Sequence, residues 1–122
     1  MSSYQNIIPQ QLSQAAITAT TSASPQTLYT TPIFNLATNI NSTRTIIKDI
    51  QIVTGSTITV TVYLVPSGGT AGAGNIFLNA VSVAAGTPYH WVGTQVILPG
   101  STIQAYASTT GANIFISGGE AT

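Results

Sequence analysis

The chain has 122 residues, no cysteine, and four formally charged side chains, Arg44, Lys48, Asp49 and Glu120, which sum to zero. Charged residues make up 3% of it, against roughly a quarter in an ordinary soluble domain. That composition excludes a disulfide framework, a thiolate metal site and a phosphate-binding basic surface, so nucleic acid is not an expected partner. No apolar stretch approaches the roughly 20 residues that cross a bilayer, and the first residues carry no basic segment ahead of an apolar run, so neither a membrane partner nor a secretory signal is expected. Mean hydropathy is positive. A neutral surface of hydroxyls and amides does not repel copies of itself, so the expected working state is packed against neighbours.

In chain order, residues 1–26 differ from the rest. They are rich in Gln, Ser, Thr and Ala, with isolated apolar residues and prolines at Pro9 and Pro25. The segment reads as an extended N-terminal arm whose Tyr4, Ile7, Ile8 and Leu12 bury against a neighbour, or else as disorder. Either way it is expected to be dispensable for folding. From residue 27 to 122 the text is that of one β domain, dominated by Thr, Val, Ile and Tyr with turn residues at short intervals. A first strand is expected over Thr27–Phe34. Thr45–Val53 alternates imperfectly, which calls either for a bulge near Lys48 and Asp49 or for two partly buried faces. Thr57–Val65 is the clearest strand, with Ile58, Val60, Val62 and Leu64 on one face and Thr57, Thr59, Thr61 and Tyr63 on the other.

Pro66–Gly74 is too long and too small-residued for a tight turn and reads as an exposed loop. Further strands are expected over Asn75–Ala84, Tyr89–Leu98, Thr102–Ser108 and Asn113–Ser117. Leu98-Pro99-Gly100-Ser101 has the Pro and Gly positions of a type II turn. Seven or so half-apolar strands in under a hundred residues imply an all-β fold, an antiparallel two-sheet sandwich of jelly-roll or immunoglobulin-like form.

Chemistry is scarce. General acid–base catalysis needs positioned titratable groups, and the chain offers one histidine, His90, two acids, one lysine and its tyrosines. No Gly-x-Ser-x-Gly elbow marks a nucleophile, and one histidine with two distant acids is too few to hold a metal. No catalytic, metal or cofactor residue is assigned, and the protein is expected not to be an enzyme. Alternation instead leaves apolar residues on second strand faces. Phe77, Val81, Tyr106 and Phe115 are the expected contacts for an oligomer, with a trimer favoured, or for a larger assembly.

Particular strings carry a family resemblance. Leu28-Tyr29-Thr30-Thr31-Pro32, then Thr61-Val62-Tyr63-Leu64-Val65-Pro66-Ser67-Gly68-Gly69, then Thr102-Ile103-Gln104-Ala105 and the closing Ser117-Gly118-Gly119-Glu120 resemble small virion structural proteins of tailed bacteriophages, over residues 27–120. The chain departs from that pattern at residues 33–41. The resemblance implies a non-enzymatic virion component, on the capsid surface as a decoration or cement protein bound to major capsid protein, or on the tail. The alternative is a tail or fibre tip domain that binds host-surface carbohydrate, with Tyr89, His90 and Trp91 as its platform; against it, Tyr89 and Trp91 share a face of one strand, as a core pair does.

Overall fold

The computed structural model describes residues 7–32 and 44–121, so Tyr4 lies outside the described residues. The described residues form eight strands: β1 (Ile7–Ile17), β2 (Gln26–Thr30), β3 (Arg44–Thr54), β4 (Ile58–Val65), β5 (Ile76–Val83), β6 (Tyr89–Ile97), β7 (Thr102–Ala107) and β8 (Ala112–Ala121). They pair antiparallel into two four-stranded sheets, with orders β1-β8-β3-β6 and β2-β7-β4-β5. This all-β two-sheet sandwich has the strand order of an eight-stranded jelly roll, one of the two forms the sequence allows. One 3-10 turn, Ala73–Asn75, sits in the loop ahead of β5.

The core forms where the branched faces of the two sheets meet. Ile47, Ile50, Ile52, Ile114 and Ile116 come from the first sheet, and Ile58, Val60, Val62, Ile103 and Ala105 from the second. Period-two alternation puts such residues on one face of a strand, and burial of each large aliphatic side chain stabilises the fold by roughly 1.5–3 kcal/mol. The type II turn is present: the Ser101 amide donates to the Leu98 carbonyl at 3.1 Å, and Gly100 takes the required positive φ of 79°.

Bulges decide which side chains reach that core. In β3 the register shifts between Ile47 and Asp49 against both neighbours. The extra residue reverses the parity of the strand, so Ile47, Ile50 and Ile52 all point inward while Ile46, Gln51 and Val53 point out. In β5 the register shifts between the residues opposite Val60 and Val62. Ala80 sits in this irregularity with φ 48°, its amide held by the Thr61 hydroxyl at 3.1 Å. Leu78, Val81 and Val83 thereby all turn to the core side.

Two expectations change as a result. Val81 is not on a second face, because the bulge carries it inward. Phe77 is not free either: its ring meets Trp91 edge to face at 5.0 Å between centroids, closing the side of the sandwich where β5 and β6 run past each other. Tyr89 and Trp91 are the core pair that their shared strand face suggests: both rings pack against the core, and only His90 of that trio faces outward.

The third change concerns the N-terminal segment. Residues 7–17 are a strand of the first sheet, running from Ile7 opposite Ala121 to Ile17 opposite Ala112. Leu12, at the bulge of β1, and Ile17 are both buried in the chain's own core. The segment has little β propensity of its own, and its conformation comes from the backbone ladder that β8 offers. Ile7 and Ile8 lie in this ladder, opposite Ala121 and Glu120.

Candidate functional site

With both inner faces filled, the feature that distinguishes this molecule is the outer face of the first sheet. Strict inward placement of Ile50, Ile52, Ile114 and Ile116 leaves their neighbours pointing away from the core. At the end of this face where β3 begins, Ile46 and Lys48 of β3, Thr94 of β6, Pro9 of β1 and Gly118 and Gly119 of β8 enclose a cavity of about 450 Å3. It is a shallow trough that crosses all four strands.

The two glycines make the trough. Gly118 pairs with Ile47 and Gly119 with Ile46, at the centre of the sheet. A Cβ at Gly118 would lie 1.9 Å from the Ile46 carbonyl oxygen, so β8 and β3 approach closely only because that position has no side chain. The trough has one polar wall, where the Lys48 ammonium donates to the Thr94 hydroxyl at 2.8 Å. Beside it lie the large apolar residues most exposed among the described ones: Val92 at 68%, Val96 at 46% and Leu98 at 56%. The trough thus adjoins exposed aliphatic side chains, with Lys48 the one charged residue in its lining.

Further along the same face, Asp49 and His90 meet across β3 and β6 at 2.6 Å, with side chains 37% and 48% exposed. Such an exposed pair contributes about 0–1 kcal/mol. It lacks a third partner: among the described residues, no group of three His, Asp or Glu side chains converges to hold a metal. Phe115 of β8 is half-buried on this face, between Gln14 of β1 and Gln51 of β3. Tyr106 is on the outer face of the other sheet, stacked on the buried Tyr63 at 6.1 Å. Burial, and then the neighbouring Tyr106, push the Tyr63 phenol up. Of the contact residues expected from sequence, the fold thus leaves Tyr106 and Phe115 outside the core and uses Leu12, Phe77 and Val81 within it.

One polar cluster was not legible in the sequence. Tyr29 of β2 reaches across the sandwich, and its hydroxyl meets the Thr45 hydroxyl at 3.0 Å and donates to the Glu120 carboxylate. This ties the short edge strand of one sheet to the centre of the other. Burial, followed by the hydrogen bond to Glu120, pushes the Tyr29 phenol up to about 12. The fold therefore holds this phenol neutral at pH values where the unfolded chain, with its ordinary value of 10.0, already ionises. Its contribution is complete below pH 10 and lost as pH rises through about 12. The melting temperature is expected to fall across that window, and to fall less steeply for Tyr29→Phe; parallel curves for the two proteins would show that the latch contributes nothing.

No protein-family model matches the chain, and no curated protein matches it. Among solved structures, the fold is similar to part of a chain in the structure of infectious bursal disease virus, Gx strain, with a TM-score of 0.57 at 15% identity. The match covers 98% of this chain and 32% of the viral one, so the present chain spans under a third of that chain's length. At this identity the likeness is one of fold.

Proposed function

We propose that the protein is a non-enzymatic virion structural component, and within that class a bacteriophage capsid decoration or cement protein that binds and stabilises the major capsid protein shell. The observation that carries this reading is the apolar trough across β1, β8, β3 and β6 with Val92, Val96 and Leu98 beside it. The near absence of charge supports it, because a surface with four charged residues has little to desolvate when it docks. The jelly roll and its likeness to part of a viral chain are in keeping with it, although a fold alone does not fix a function. In this reading the protein works as a homo-oligomer, with a trimer favoured. Its place is the outside of the capsid, and it has no nucleic-acid or membrane partner and no cofactor.

The trough end of the sheet is the docking end. Val96 and Leu98 are the side chains whose burial would supply most of the affinity, since a few well-buried residues dominate a typical interface. Purified protein is expected to sediment with undecorated phage capsids in a copy number that follows the shell lattice. Val96→Asp with Leu98→Asp is expected to weaken that binding by more than about tenfold, because each places a charge where an apolar contact forms. Equal binding by the double variant, or a copy number fitting a single vertex, would reject the assignment to the shell.

A further inference from the structure

The other end of the same outer face is chemically different. Ile114 and Ile116 point inward, so Phe115 between them points out. Its register partners are Gln14 on β1 and Gln51 on β3, and Gln51 is in turn opposite His90 on β6. Gln14, Phe115, Gln51 and His90 therefore form one row across all four strands. At about 4.8 Å per strand the row is roughly 14 Å long. Asn113 lies two residues from Phe115 on the same face. Together with Gln14, Ala15, Ala16 and Phe115 it lines a cavity of about 320 Å3. The small side chains at 15 and 16 leave this space open beside the aromatic ring.

We propose that this row is a binding platform for neutral carbohydrate. A sugar ring presents an apolar C–H face and a rim of hydroxyls that both donate and accept hydrogen bonds. An aromatic ring takes the first by stacking. Carboxamides suit the second, being the uncharged side chains that carry a strong acceptor and two donors on one group. Phe115 supplies the ring, and Gln14, Gln51 and Asn113 surround it with amides. Gln14 is already oriented, since Gln11 Nε2 donates to its Oε1 at 2.9 Å, which leaves the Gln14 amino group free to donate. Among the described residues, the side chains of Gln51 and Asn113 engage no partner.

The absence of net charge selects neutral sugars. The one nearby acid, Asp49, is matched by His90 at 2.6 Å, and Lys48 is turned to Thr94 at the trough end of the face. The platform does not depend on the docking role. If the trough end meets a shell, the row around Phe115 is left at the opposite end of the face.

The test is saturation-transfer NMR on the full chain with three neutral trisaccharides, maltotriose, cellotriose and chitotriose, at millimolar concentration. Transfer to at least one of them is expected, carried by the protons of the stacked ring face. Phe115→Trp is expected to retain binding, and Phe115→Leu to weaken it about tenfold or more, because leucine fills the space but offers no flat face. Gln51→Ala is expected to weaken it several-fold. Unchanged melting temperatures for Phe115→Leu and Gln51→Ala would separate loss of the platform from loss of the fold. Retention on beads that carry the responding sugar in many copies would assign a surface glycan, and binding of the free trisaccharide alone a soluble one. No transfer to any of the three sugars, or equal binding by wild type and Phe115→Leu, would overturn the proposal.

Discussion

A chain lacking residues 1–17 is expected to lose its cooperative fold. The reason is placement: β1 (Ile7–Ile17) is hydrogen-bonded along β8, and Leu12 and Ile17 are 7% and 1% exposed within the core. Removing those two side chains alone forfeits roughly 3–6 kcal/mol of burial. The lost ladder then leaves the outer backbone edge of β8 open along its whole length and uncovers the side of Ile114 and Ile116. Native domains of this size are stable by about 5–15 kcal/mol in all. Near-ultraviolet circular dichroism and calorimetry are expected to show a poorly packed, aggregating product with no sharp transition. A truncated protein with a sharp transition close to that of the full chain would mean that β1 is an accessory to the sandwich and not part of it.

Replacing Gly118 by alanine is the single substitution expected to cost most. Its Cβ would fall 1.9 Å from the Ile46 carbonyl oxygen, 3.0 Å from the carbonyl carbon and 3.2 Å from the Ile47 Cα. All three are backbone atoms of the adjacent central strand, so no side chain can swing away to relieve the contact. The two strands must separate locally, at a cost of about 3 kcal/mol or more. That corresponds to a melting temperature lower by about 10 °C or more in a domain of this length. Gly74→Ala is the control, because a Cβ there meets nothing within 4 Å; its effect is expected to stay within about 0.5 kcal/mol. If the two variants melt together, the close approach of β8 to β3 is not what Gly118 provides.

The strands that the sequence announces are those with branched residues on an uninterrupted alternation. Ile58 to Val65 is found as β4, and the isoleucines around Ile50 lie in β3. The inner faces of both strands were legible, the second once a bulge at Lys48 is admitted. Alternation fails where a bulge gives no local sign. Asn79-Ala80 contains neither glycine nor proline, yet the chain adds a residue to the ladder there, which is why Val81 read as surplus; Phe77 lies beyond a second register shift and is covered by Trp91 from the other sheet. β1 was illegible for a different reason: Gln10-Gln11-Leu12-Ser13-Gln14-Ala15-Ala16 has no strand propensity, and its state is set by a partner a hundred residues away. The amide row around Phe115 and the latch at Tyr29 were hidden likewise. Each joins residues from distant strands, and no spacing in one dimension shows that Gln14, Phe115 and Gln51 are neighbours.

The sheet order has a kinetic consequence. β8 lies inside the first sheet, between β1 and β3, although it is the last strand along the chain. During synthesis the second sheet has all its strands once residue 107 has emerged, whereas the first must wait. Until residues 112–121 arrive, β1 has no partner, β3 has one bare edge, and Ile47, Ile50 and Ile52 have no covering neighbour on that side. Pairing across nearly the full chain length also makes closure slow, because the entropy of a long loop is lost before the contacts form. Completion of the fold is thus a late, single event controlled by the final ten residues of the strand ladder. A ribosome that stalls just short of them would hold a chain whose β3 edge is open to pairing with a neighbour, with Arg44, Lys48 and Asp49 as the charges on that strand.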